Sequence, residues 1–231
     1  MTSFLDTLPT DGLLLDVSLW SADLSALGAE AARVGPYADL LHIDSSDAMF
    51  VPQPLFFPDL VSAVRPHTSL PLHVHLMAHH PARLAQAFAD AGADLITVHA
   101  EAREAADAIA VIRAADRAAG VALTLDTPPD EAVDLLASAD AIVLIGTPLG
   151  TKGTSMDPAA LIRIADTRRL LNAAGRHVPI FADGGIRQDT VAPLADAGAT
   201  GVVPGSLLWN SGDLAQTAAW IRGHRGDGSQ R

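Results

Sequence analysis

Cysteine is absent from the 231 residues. That one absence excludes a disulfide framework, thiolate zinc ligands and a cysteine nucleophile, so any metal site must be built from histidines and carboxylates. Lysine is nearly absent too: Lys152 is the only one, which leaves Schiff-base chemistry a single candidate. Positive charge is in deficit, with 15 Lys and Arg against 27 Asp and Glu and a formal net charge of −12. A basic nucleic-acid footprint is therefore missing and an anionic membrane repels the average surface, so an anionic ligand must be held locally. No run of about 18 apolar residues escapes a charge or a breaker, so no membrane-spanning helix is expected. Residues 1–11 carry Asp6 and Asp11 and lack both a basic start and a long apolar run, which points to a cytoplasmic protein.

What the chain does have is 49% apolar and 18% charged residues, enough to bury a sizeable core. Short apolar runs at 13–18, 40–44, 72–77, 95–99, 121–125, 141–145, 178–183 and 201–204 alternate with Ala-rich amphipathic stretches at about 22–34, 58–65, 81–91, 102–119, 129–138, 157–175, 187–197 and 206–222. That is the pattern of parallel strands joined by crossover helices. Eight such units predict a single-domain (β/α)8 barrel over 1–231, with a short polar tail from about 224. The competing open doubly wound sheet wants a Gly-rich turn after its first strand, and Ser18-Leu19-Trp20-Ser21 is nothing like one. Asp90-Ala91-Gly92-Ala93-Asp94 and Asp196-Ala197-Gly198-Ala199-Thr200 echo each other, each ending a helix on a glycine that leads into a strand.

Barrels of this kind gather their chemistry at the C-terminal strand ends. His42 and Asp44 stand two apart on a strand and share a face. With His75 and Asp183 at the ends of two other strands, they make a mixed nitrogen and oxygen set suited to zinc, manganese, iron or cobalt. His73 lies one pleat below His75 and reads as a core or supporting histidine. His67, His79, His80, His177 and His224 fall in loops or helix starts and read as surface residues.

These residues also carry a resemblance. Ser18-Leu19-Trp20-Ser21-Ala22-Asp23-Leu24, the HxDxxDxxFVP string from His42 to Pro52, His73-Val74-His75-Leu76-Met77, the run from Gly92 through His99 to Glu101, and Asp183-Gly184-Gly185-Ile186 with Gly205-Ser206 together resemble the ribulose-phosphate 3-epimerase family. The resemblance implies a divalent metal on His42, Asp44, His75 and Asp183, and acid/base roles for Asp44 and Asp183. It further implies substrate contacts at Ser18, His75 and Met77, and phosphate binding at Gly184, Gly185, Gly205 and Ser206 and on the loop after the sixth strand. The partner it implies is a phosphorylated ketose, with a homo-oligomer as the expected assembly.

Departures from the family pattern cluster in that loop. Ile145-Gly146-Thr147-Pro148-Leu149-Gly150-Thr151-Lys152-Gly153-Thr154 stands where the family usually has an NPGFGGQ-like segment. Gly150 and Gly153 survive, while Lys152 replaces a glycine and offers a point charge to the phosphate. Ser46 and Ile145 replace methionines that roof the family's site. The resemblance therefore implies 3-epimerisation of a ketose phosphate, ribulose 5-phosphate first. An epimerase of a tetrulose or hexulose phosphate, or a non-catalytic barrel that keeps the metal and binds a sugar phosphate, are the alternatives. A decarboxylase or Schiff-base aldolase would need a DxKxxD string or a strand lysine, and neither occurs.

Overall fold

A computed structural model describes residues 4–224. Each apolar run becomes a parallel strand: β1 (Leu14–Ser18), β2 (Leu40–Ser46), β3 (Leu72–Met77), β4 (Leu95–His99), β5 (Ala118–Leu123), β6 (Ala141–Ile145), β7 (Ile180–Asp183) and β8 (Gly201–Val203). Each pairs with the next in sequence, and β8 closes on β1 through Leu14 opposite Gly201. The closed barrel disposes of the open doubly wound alternative.

Helices α1 (Leu27–Val34), α2 (Pro58–Val64), α3 (Ala82–Asp90), α4 (Ala105–Ala114), α5 (Val133–Ser138), α6 (Ala159–Ala173), α7 (Gln188–Asp196), α8 (Ser206–Trp209) and α9 (Leu214–Arg222) form the connections and the last turn. Among the described residues none is long and apolar enough to cross a membrane.

Several boundaries shift by a few residues from the sequence reading, and two differences have a clear physical cause. β5 starts at Ala118, three residues early, because Asp116 with φ 61° ends the α4 region and the alanines that read as helix pair with β4 instead, Ala118 opposite Leu95. The stretch 206–222 is two helices. The second starts afresh at Asp213, whose side chain accepts the Gln216 N–H at 3.0 Å. The repeated glycines behave as expected, Gly92 and Gly198 both having positive φ. Of the proposed tail, residues 225–231 lie outside the described residues, and His224 packs its ring against Trp220.

The core lies in two shells. Outward-facing strand residues such as Val17, Ile43, Val74, Val98 and Val121 pack under the helices in one buried cluster. A second cluster, with Leu14, Leu40, Leu95, Val143 and Phe181, fills the barrel itself. Side chains alternate along a strand, so the inward positions above these are Asp16 and Ser18 on β1, His42 and Asp44 on β2, His73, His75 and Met77 on β3, and Thr97 and His99 on β4. The facing half offers Gly120 and Ala122, Ala141, Val143 and Ile145, then Phe181 and Asp183. One half of the interior is thus polar and the other nearly apolar.

Candidate active site

The parallel register brings the predicted ligands to one level. Asp44 pairs with His75 across β2 and β3, and Asp183 ends β7 on the opposite wall. His42 Nε2 lies 3.4 Å from Asp44 Oδ1 and 3.8 Å from Asp183 Oδ2, while His75 Nδ1 lies 3.3 Å from Asp44 Oδ1 and 3.6 Å from Asp183 Oδ2. The four side chains can each turn one ligand atom to a common point, all within 4.8 Å of one another. Four atoms set tetrahedrally at roughly 2.0–2.1 Å from an ion stand about 3.3 Å apart, close to these separations.

Electrostatics point the same way. Asp16, Asp44 and Asp183 are carboxylates buried among imidazoles, and among the described residues no Lys or Arg is ion-paired to any of them. Burial and the neighbouring Asp44 carboxylate push Asp183 up to about 6, against the pull of His42 and His75. Asp44 goes the other way: burial would raise it, but His42 and His75 hold it well below the usual carboxylate range. Burial also works against a charge on His42, yet Asp16 and Asp44 outweigh it and raise its pKa well above the ordinary value. His42 Nε2 is buried without a hydrogen-bond partner and faces two carboxylates. A cation at that point satisfies the nitrogen and the carboxylates together, so the residues present fit a divalent ion.

The second ligand histidine is oriented from behind. His75 Nε2 meets His99 Nε2 at 2.8 Å, His99 Nδ1 meets Glu101 Oε2 at 3.2 Å, and Glu101 Oε1 accepts the Thr124 N–H and hydroxyl at 2.8 and 2.9 Å. Burial lowers His99 to about 4, so it is neutral. With its Nδ1–H given to Glu101, it accepts from His75 and leaves His75 Nδ1 free to ligate. Phe50 packs on the His99 ring at 4.9 Å, and Asp47 accepts the N–H groups of Met49, Phe50 and His79 at 2.8 Å each, bracing that loop.

Above the four-residue cluster opens a cavity walled by every substrate position inferred from the sequence: Ser18, His75, Met77, Gly150, Lys152, Gly153, Gly184, Gly185, Gly205 and Ser206. Ser18 Oγ also donates to Asp44 Oδ2 at 3.2 Å. Gly184 and Gly185 have φ of 92° and 72°, and a Cβ on Gly185 would stand 2.6 Å from the Met156 N, so only glycine turns the chain there. Gly205 lies against Ser21, where a Cβ would come within 2.6 Å of the hydroxyl.

Lys152 is exposed and reaches across the mouth, its ammonium donating to the Trp20 carbonyl and lying 4.5 Å from the centroid of the Trp20 ring. Sequence reasoning missed Trp20, Thr147 and Arg187, which also line the cavity. Arg187 stands at the N-cap of α7, directly after the diglycine turn, and that position was the signal available for it. Of the histidines read as surface, His67 and His177 are exposed, while His79, His80 and His224 are half-buried.

Residues 14–209 match the Ribulose-phosphate 3 epimerase family. The ribulose-phosphate 3-epimerase of Bacillus subtilis is 36% identical over 211 residues, covering 90% of this chain and 97% of that one. The ribulose-phosphate 3-epimerase of Mycobacterium bovis is 34% identical over 221 residues, covering 95% and 96%. Among solved structures, KGPDC from Streptococcus mutans superposes with a TM-score of 0.66 at 16% identity, covering 91% of this chain and 95% of that one. A 3-hexulose-6-phosphate synthase from Salmonella typhimurium gives 0.64 at 21%, covering 91% and 96%. These two likenesses concern the fold. The matched span, the identity over nearly the whole of both relatives and the shared barrel lead to one conclusion: this chain belongs to the ribulose-phosphate 3-epimerase family.

Proposed function

We propose that this protein is a metal-dependent 3-epimerase of a ketose phosphate, interconverting D-ribulose 5-phosphate and D-xylulose 5-phosphate. The observation that carries the reading is the convergence of Asp44 and Asp183, from opposite walls of the barrel, on a cavity floored by His42 and His75. Inverting a carbon beside a ketone requires removing its proton on one face and returning a proton on the other. Two carboxylates facing one cavity from opposite walls are the form such an acid/base pair takes.

Asp44, held ionised, is the base that accepts the proton from the third carbon of one epimer. Asp183, on the opposite wall, is the acid that delivers a proton to the opposite face, and in the reverse direction the two exchange tasks. His42, Asp44, His75 and Asp183 would hold a divalent ion of the zinc, iron, manganese or cobalt class, which when bound would supply charge to offset that on the enediolate oxygens. The Ser18 hydroxyl keeps the second oxygen of Asp44 occupied, which orients the carboxylate. Backbone N–H groups around Gly184, Gly185, Gly205 and Ser206, at the openings of α7 and α8, suit a phosphate. Arg187 and Lys152 also line the cavity and add positive charge to it, which reconciles an acidic protein with an anionic substrate.

Incubation with ketose phosphates and a divalent ion in deuterated water tests this. Deuterium entering the third carbon of the pentulose phosphates, followed by proton NMR, is the expected result. Exchange confined to a tetrulose or hexulose phosphate would move the substrate assignment. Binding without exchange of any of them would leave a non-catalytic barrel.

A further inference from the structure

Asp16 has no part in the family resemblance and no assigned role, yet it is wholly buried inside the barrel two residues below Ser18. Its Oδ2 accepts from two rings, His42 Nδ1 at 2.8 Å and His73 Nδ1 at 2.5 Å. His73 Nε2 in turn meets the Thr97 hydroxyl at 2.7 Å. Room for that hydroxyl comes from β5: Gly120 stands beside Thr97 in the register, and a Cβ there would lie 2.0 Å from the Thr97 oxygen.

One assignment of hydrogens satisfies the whole chain. Thr97 O–H donates to His73 Nε2, His73 Nδ1–H donates to Asp16, and His42 Nδ1–H donates to the same Asp16 oxygen. The carboxylate accepts only, so both rings must present N–H to it. Nε2 is thereby the one His42 nitrogen left for an ion, the atom that is buried without a partner and aimed between Asp44 and Asp183.

We infer that Asp16 is a positioning residue for the metal centre: by taking the Nδ1 proton of His42 it locks the tautomer and the ring angle that make Nε2 a ligand, with His73 and Thr97 holding Asp16 in place. Such outer partners raise ligand basicity and are worth about 10–100-fold in metal affinity. The alternative, a second ion between Asp16, His42 and His73, does not fit. Nitrogen to oxygen distances of 2.5–2.8 Å are those of hydrogen bonds and are short for two ligands of one ion, and the other nitrogen of His73 is already taken by Thr97. Asp16 Oδ1 has no partner, so the two imidazoles are all that holds this carboxylate. The inference rests on the metal reading above.

The test compares wild type with Asp16→Asn and His73→Gln, using zinc or cobalt ions alone in chelator competition and 15N NMR of the histidine rings. Wild type should bind one ion per chain with His42 protonated at Nδ1. Asp16→Asn should bind about 10–100-fold more weakly with a changed His42 ring signal, and His73→Gln should weaken binding less, because it leaves the Asp16 to His42 contact in place. Equal affinity and an unchanged tautomer in folded Asp16→Asn would overturn the inference and leave the proposed function standing. Failure of wild type to bind any divalent ion would remove both. If Asp16→Asn does not fold, the ring spectrum of zinc-loaded wild type decides, since a His42 protonated at Nε2 rather than Nδ1 overturns it.

Discussion

Asp44 and Asp183 meet the same two rings in different surroundings. Asp44 shares oxygens with His42, His75 and Ser18, whereas Asp183 reaches the same two rings at longer range and keeps 19% of its side chain open to the cavity. If each serves one face of the substrate, replacing either by Asn breaks both directions of the reaction. Asp44→Asn and Asp183→Asn should each lower kcat by several orders of magnitude in steady-state assays, with metal content measured on the same samples because both are also ligands. Near-normal turnover in metal-loaded Asp183→Asn would refute its acid/base role. At this scale spacing alone was a weak signal: a period of two puts His42 and Asp44 on one face, and it took the strand-end positions of His75 and Asp183 and the family resemblance to make the four a candidate set. Asp16 was not legible. A lone acidic residue within an apolar run has no local signal, and its meaning comes from two rings contributed by other strands.

Among the elements, the loop after β6 concentrates the departures from the family pattern, and the turn after β7 keeps to it. The loop after β6 sends Lys152 to Trp20, and the diglycine turn after β7 presents Arg187. Both cations line the cavity and neither is assigned to proton transfer, so losing either should weaken binding more than it alters the chemistry. Lys152→Ala and Arg187→Ala should each raise KM more than they lower kcat, by about tenfold for an interaction of roughly 1.4 kcal/mol. Added salt should weaken binding less in each variant than in the parent. An unchanged KM for Lys152→Ala would leave its contact with Trp20 as its whole function. Strand order and helix order could be read in advance because each apolar run had its crossover. The start of β5 could not, since Ala118 and Ala119 fit a helix as well as a small-residue strand, and pairing with β4 decides between them.

For the molecule as a whole, the uneven interior sets how the fold responds to acid. The polar half of the barrel is held by groups whose charges depend on one another, and two of them act in separate pH windows. His99 is buried and neutral, with its pKa lowered from 6.5 to about 4. The unfolded chain therefore binds a proton that the folded one refuses, and stability falls as pH drops from about 6.5 to 4. Glu101 follows below that. Burial would raise its pKa, but hydrogen bonds from His99, Thr127 and the Thr124 N–H lower it from 4.5 to about 2, so its contribution is complete above about pH 4.5 and lost as pH falls toward 2. Its side chain is 23% exposed, so screening trims the contribution to about 1–3 kcal/mol. Glu101→Gln should therefore unfold more easily than wild type at pH 7 by about that amount, measured by urea titration of the metal-free protein. The gap should close steadily between about pH 4.5 and 2, where wild type loses the same carboxylate by protonation. A gap that stays constant across that window would mean that Glu101 acts through shape alone and that its charge does not support the His99 and His75 pair.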